Sequence, residues 1–435
     1  MSQEQGRRSV APLVLIITLF FLWGIANNLN DVLIPHLKKA FFLNDFQSGL
    51  IQSAFYLGYF FLALPAAAVM RRFGYKTAVL IGLALFGLGA LMFYPAAGAL
   101  EYAWFLGALF VIASGLAFLE TSANPLITIL GDAEGAERRL NFAQAFNPFG
   151  AITAVVLGRQ FILSGVEPTP AQLAAMTVAE RVAFQAQEAR AVQGPYLIIA
   201  AVVLAWALLV ALTRFPAAAN RPAREDADAA PSAGAAIRAL LRRPRFLFGV
   251  LAQFFYVGGQ VGVWSYMIRY AQHEVPGMGE KTAAGYLTWS LVGFMAGRFI
   301  GTAAMGRIAP MALMSAFAAV NVALTLAAAL VGGHLGLYAL AATSFFMSIM
   351  FPTIFANSLR GLGPLTKTGS SFLVMAIVGG AVMTAIMGAV SDAFAINIAI
   401  LAPCLGFVVV GLFAVTARRA QGLAPSVMAA EQPLS

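Results

Sequence analysis

The chain has 435 residues, of which 60% are apolar and only 10% charged, and its mean hydropathy is +0.82. A soluble domain carries about 25% charged residues, so a soluble enzyme or binding module is excluded. The net charge of +9 comes from basic residues set between apolar runs, not gathered in one tract, which argues against a nucleic-acid partner and for loops on one side of a membrane.

Apolar runs long enough to cross a bilayer (about 17–25 residues) fall near 12–37, 47–70, 76–96, 102–130, 140–164, 194–214, 246–271, 282–305, 310–331, 335–359, 368–392 and 398–417. The first is too long for a signal peptide and lacks a small-residue cleavage site, so it reads as a span. Arg7 and Arg8 precede it, Arg71, Arg72 and Lys76 follow the second, and Arg138 and Arg139 follow the fourth. Seven arginines from Arg214 to Arg245 occupy the central link, and Arg307, Arg360, Lys367, Arg418 and Arg419 fall in later even-numbered gaps and the C-terminal tail. This alternation is the positive-inside pattern; it puts both termini in the cytoplasm and makes the number of spans even. The segment 215–240, rich in Ala, Pro and charge, reads as a cytoplasmic linker, and AQLAAMTVAERVAFQAQEARA in the outer loop 165–193 reads as a short surface helix.

Polar groups interrupt these runs. Asn27, Asn28, Asn30 and Asp31 lie in FFLWGIANNLNDVLIPHL, and Glu120 and Asn124 lie in GLAFLETSANPLITILG. A carboxylate inside a span costs about 2.5–3.5 kcal/mol on insertion scales and persists mainly where it faces a cavity, a partner or a pathway. Asn27 and Asp31, like Glu120 and Asn124, are four residues apart and share a helix face; Gln144 and Asn147 are three apart. An acid in low dielectric with no fixed cation holds its proton more tightly, so it can take up and release protons near neutrality. In the second half Gln253, Gln260 and Trp264 fall on one face at helical spacing, and the same half also offers Tyr256 and Asn357.

Each signal has a structural alternative. The acids could tie helices together, the amides could hydrogen-bond helix to helix, and Trp264 could mark the interfacial belt. Arg159 and Arg269 read as snorkelling residues, and Arg298, deeper, as an anchor for the inner end of the eighth span. The single cysteine, Cys404, excludes an intrachain disulfide or thiolate metal cluster. His36, His273 and His334 fall at predicted outer ends of spans, which argues against a histidine relay or metal site. No phosphate-binding loop is present, so ATP does not drive the protein directly, and no nucleophile–base set or cofactor motif is visible.

The halves repeat. FGAITAVVLG (149–158) pairs with GGAVMTAIMG (379–388), ANPLITILG (123–131) with MFPTIFANSLRGLG (350–363), and FFLWG (20–24) with FFYVG (254–258), all near one offset of about 230 residues. Six plus six spans give an N-terminal half at 1–214, a linker at 215–244 and a C-terminal half at 245–435, the layout of the major facilitator transporters, whose substrate sits between halves near the midplane. On these alignments Glu120 corresponds to Met347 and Asp31 to Ser265, so both acids belong to the first half alone.

FFLWGIANNLNDVLIPHL, GLIQSAFYLGYF, LETSANPLITILG, RLNFAQAFNPFGAI, LAQFFYVGGQ, WSYMIRYA, FPTIF and KTGSSFLVMAIVGG resemble the fucose permease branch of the major facilitator superfamily along nearly the whole chain. The resemblance implies an all-α membrane protein of twelve helices in two pseudo-symmetric halves, in a bacterial inner membrane, working as a monomer. It implies a monosaccharide:cation symporter, usually proton-coupled, with Asp31 and Glu120 as the protonatable pair. It also implies a polar cavity including Asn27, Asn30, Gln52, Gln144 and Asn147. There are two departures. AAAVMRRFGYK places Arg71 where the superfamily loop motif has Asp, so the usual gating salt bridge cannot form there. FPTIF places Phe351 where fucose-type members have Tyr, and Phe resembles members taking glucose, galactose or N-acetylglucosamine.

The expectation is therefore L-fucose:proton symport by alternating access. Other hexoses of the same branch and sodium coupling are the near alternatives. A drug or metabolite exporter and a non-transporting sugar sensor are the rivals of another class, disfavoured by the many amides and the short tails.

Overall fold

In the computed structural model the backbone is described for residues 2–43, 45–129, 133–162, 175–215 and 232–430; the side chains of some helical residues, Asp31, Gln52 and Arg159 among them, lie outside the described residues, as does most of the expected central linker. Every regular element among the described residues is helical, as a chain short of water must be, since only helices and closed barrels satisfy their backbone inside a bilayer. Among the described residues, ten helices are long and apolar enough to cross a membrane. The other two expected runs are also helical. The eighth, Glu280–Ala304, carries Arg298 among glycines and hydroxyls, which lowers its apolarity. The fifth is broken into Ala136–Gln144, Asn147–Leu157 and a π-helical turn, Gly158–Ile162. The fold is that of the twelve-helix major facilitators.

The breaks follow from sequence. The second and third spans run on as Asp45–Ala99 and bend at Gly74, whose φ of 84° is a left-handed conformation that glycine adopts without Cβ strain. The fifth span breaks just before Pro148, and the tenth divides into Gly333–Met347 and Met350–Leu359 just before Pro352. Proline has no N–H to give to the carbonyl four residues back, so these breaks leave the carbonyls of Gln144 and Ser348 without their helical donors.

The chain packs as two compact bodies, one of Met1–Leu126 with Phe146–Ala230, the other of Ile127–Ala145 with Pro231–Ser435. In the first, the first helix, Ser2–Ala40, crosses the fifth closely: a Cβ on Gly24 would run into the Asn147 carbonyl, and one on Gly150 into the Phe21 carbonyl. In the second, Pro244–Glu274 crosses Gly379–Ala393 in the same way. There a Cβ on Gly258 would meet the Gly379 carbonyl, and one on Gly379 the Phe254 carbonyl. FFLWG and FFYVG are thus equivalent in packing as well as in sequence.

The expected surface helix forms at Val178–Ala191 with a capping box: Thr177 accepts from the Glu180 N–H, and the Glu180 carboxylate accepts from the Thr177 N–H and hydroxyl at 2.8 Å. These bonds, the backbone one foremost, hold the Glu180 carboxyl below the usual range. The helix closes over the C-terminal end of the first. Glu188, 1% exposed, meets Lys39 Nζ at 2.9 Å and His36 Nδ1 at 3.4 Å, and its carbonyl accepts from His36 Nε2 at 2.9 Å. His36 lies near the C-terminal end of the first helix and is buried because this helix covers it.

Gly150→Leu is expected to overpack the first-to-fifth crossing and destabilise the protein by about 1–3 kcal/mol. The unfolding midpoint of the purified protein in detergent reads this directly, with Gly107→Leu, at a half-buried glycine where an added Cβ meets nothing within 4 Å, as the control that should not move it.

Candidate functional site

In the first body a hydrogen-bonded chain runs from the first helix to the second. Trp23 Nε1 donates to the Tyr59 hydroxyl at 2.9 Å, and that hydroxyl donates to Asn27 Oδ1 at 3.4 Å. Tyr59 also lies within electrostatic reach of Glu120. Glu120 sits on Tyr102–Ile129, only 3% exposed, and no ion pair to it occurs among the described residues. Asn124, one turn on, is fully buried, as is Asn30. Two amides serve helix backbones: Asn147 Nδ2 donates to the Phe20 carbonyl at 3.2 Å, and Asn28 Nδ2 to the Gly24 carbonyl of its own helix at 2.9 Å. Thr121 and Ser122 likewise return their hydroxyls to their own helix at 2.6 Å. The Asp31 and Gln52 side chains are outside the described residues.

The second body gathers the aromatic and amide groups. Arg298, 4% exposed, donates through Nε to the Ser348 carbonyl at 2.7 Å and through Nη1 to the Gln144 carbonyl at 3.1 Å and to Gln144 Oε1 at 3.3 Å. Its guanidinium lies 4.7 Å from the centre of the Phe294 ring, a geometry that supports a buried cation. Phe294 packs edge-on to Trp264 at 5.1 Å, and the Trp264 indole donates to Ser344 Oγ at 2.9 Å. Trp264 therefore spends its N–H inside the protein. Asn141 Nδ2 donates to Thr353 Oγ1 at 3.1 Å. Phe351 packs on Tyr256 and on Phe355, with ring centres 6.2 and 6.1 Å apart. Gln253 is wholly buried, and neither end of its amide has a hydrogen-bond partner among the described residues. Gln260 and Asn357 are half-buried.

The sequence reading of Arg298 as an inner-end anchor is corrected: it lies inside the protein, on the two carbonyls that Pro148 and Pro352 deprive of donors. The available signal was an arginine well inside a span together with the two proline breaks. Tyr59 was missed as the centre of the Trp23–Asn27 chain; nothing in its spacing singles it out from the neighbouring aromatics. Among the described residues no cluster of three or more His, Cys, Asp or Glu side chains could hold a metal ion.

Residues 15–364 match the Major Facilitator Superfamily. The chain belongs to that superfamily. It is 48% identical to the L-fucose-proton symporter of Escherichia coli (strain K12) over 413 residues, 94% of each protein. It is 39% identical to a glucose/galactose transporter of Brucella abortus biovar 1 (strain 9-941) over 397 residues, 91% of each. A crystal structure of the superfamily transporter FucP in the outward conformation aligns with a TM-score of 0.87 at 47% identity, covering 94% of this chain and 99% of that one. The chain is an integral membrane protein.

Tyr59→Phe removes the acceptor for Trp23 and the donor to Asn27. A buried donor left unsatisfied costs about 1–3 kcal/mol, so the unfolding midpoint in detergent should fall, whereas Tyr94→Phe, at an exposed residue, should leave it within error.

Proposed function

We propose that this superfamily member imports L-fucose together with protons, by alternating access, across a bacterial inner membrane with both termini cytoplasmic, and that it works as a monomer. The observation that carries the proton half of this reading is Glu120: a carboxylate 3% exposed on a membrane helix, with no ion pair among the described residues. Charged, it is costly there; protonated, it is a hydrogen-bonding neutral group. A carrier that loads sugar and proton together and releases both inside uses that difference as its coupling. Asp31, nearer the outer end of its helix, is assigned to proton release and resetting. The substrate half is supported by 48% identity over 94% of the L-fucose-proton symporter.

The amides Asn27, Asn30, Gln52, Asn124, Gln144, Asn147, Gln253, Gln260 and Asn357 are assigned to the sugar hydroxyls, with Trp264 and Phe351 as apolar walls. Gln253 supports this best, because a buried amide with no partner among the described residues carries a desolvation cost that a ligand hydroxyl offsets. Sugar isomers that leave such groups unpaired are then rejected. A second reading, transport of glucose or galactose, draws on the 39% identity to a glucose/galactose transporter and on Phe351, where the resemblance puts tyrosine in fucose-type members.

In proteoliposomes an inward proton gradient should drive accumulation of labelled L-fucose, and a protonophore should abolish it. Uptake that needs sodium and ignores pH would overturn the coupling. Asp31→Asn should keep sugar counterflow but lose gradient-driven accumulation, and Glu120→Gln should still bind sugar with its pH dependence flattened. Full accumulation by the first variant or an unchanged pH profile in the second would make the carboxylates structural. Phe351→Tyr should shift the ranking of fucose against glucose and galactose in a competition panel while proton coupling persists; an unchanged ranking removes Phe351 from the specificity determinants.

A further inference from the structure

We infer that Arg298 is a positioning residue for substrate recognition: by occupying the oxygen of the Gln144 amide it fixes which way that amide faces. This rests on the assignment of Gln144 to the sugar. Pro148 and Pro352 each withhold an N–H from the carbonyl four residues earlier. Those carbonyls, of Gln144 and Ser348, are the two backbone oxygens that Arg298 holds, at 3.1 and 2.7 Å. In a membrane protein such freed carbonyls must be satisfied from a neighbouring helix, and one guanidinium does it for two broken helices at once.

The same Nη1 group also reaches Gln144 Oε1 at 3.3 Å. A guanidinium only donates, so the amide atom that faces it must be the oxygen, and the NH2 is turned away from the guanidinium. Gln144 is therefore held as an oriented group whose role toward other partners is that of a donor. A planar, delocalised cation with several fixed N–H groups suits this task, and a flexible ammonium does not. The Phe294 face at 4.7 Å keeps the guanidinium plane in place. Through this contact Arg298 acts on the sugar without touching it: the hydroxyl that meets Gln144 meets a donor, and an isomer or analogue lacking an acceptor there is penalised.

The test is sugar counterflow in proteoliposomes with L-fucose and a set of analogues each deoxygenated at one ring position, for Gln144→Ala, Gln144→Glu, Arg298→Met, Arg298→Lys and the Gln144→Ala/Arg298→Met double variant. Gln144→Ala should raise KM about tenfold, as for loss of one good hydrogen bond, and erase the penalty for one particular deoxy analogue. Arg298→Met should do the same at the same hydroxyl, and the double variant should be no worse than either single one. Gln144→Glu keeps an oxygen for Arg298 but replaces the donor by an acceptor, so it should lose affinity although the tie between helices is strengthened; a purely structural link would be preserved. Arg298→Lys retains the charge and guards against misfolding of the methionine variant; it should bind L-fucose more weakly than the parent, with the same blunted discrimination.

Multiplying single effects in the double variant, or Arg298 variants that lose yield and thermal midpoint while KM and analogue ranking stay as in the parent, would overturn the inference. If Gln144→Ala and Gln144→Glu leave KM and ranking untouched while proton-driven fucose uptake continues, Gln144 is not a sugar contact and the inference falls with it, but the symport reading stands. Absence of L-fucose counterflow in the parent protein would overturn both.

Discussion

A single buried guanidinium satisfies what two prolines undo. Arg298 is bound to the carbonyls of Gln144 and Ser348, each one turn ahead of a proline that cannot supply the usual helical donor. Without it, two helices would end in unsatisfied oxygens inside a medium that offers no water, at a cost of several kcal/mol each. With it, helices can be broken where the sequence places Asn147, Gln144 and Phe351, so irregular backbone and polar side chains coincide. The cation itself is affordable because its donors go to three oxygens and its face lies on Phe294, so no carboxylate is needed beside it.

The two halves solve the packing problem alike and the chemical problem differently. Gly24 and Gly150 in one body, and Gly258 and Gly379 in the other, each let a helix backbone rest on its neighbour's carbonyl. The side chains built on these matched crossings diverge. The first half holds Glu120 and the Trp23–Tyr59–Asn27 chain; the second, together with the short helix bearing Gln144, holds Arg298, Gln253 and the aromatic set around Tyr256 and Trp264. A duplicated scaffold has kept its joints and changed its contents.

Much of this was readable from the chain. Apolar length gave the spans, and the shared FFLWG and FFYVG segments gave the matched glycine crossings, because each depends on local composition or on one spacing. Glu120 announced itself for the same reason: a charge in an apolar run is visible without a structure. What could not be read was partnership. Nothing in the sequence ties Arg298 to a carbonyl 154 residues earlier, or Tyr59 to Trp23 across 36, since such contacts depend on how helices rotate about their axes. The burial of His36 beneath Glu188 was hidden for a different reason: it depends on where a loop helix lies down, and hydropathy says nothing of that.

The glycine crossing between the first and fifth helices also bears on how motion in this molecule is to be observed. Backbones that touch with no side chain between them cannot slide or swivel against each other without a clash, so the pair behaves as one strut. Probes attached to its two members, for example a spin-label pair on the lipid-facing sides of both helices, would report one fixed distance whatever the rest of the chain is doing. That makes this strut the natural internal ruler for the protein, against which displacements of other helices can be scaled.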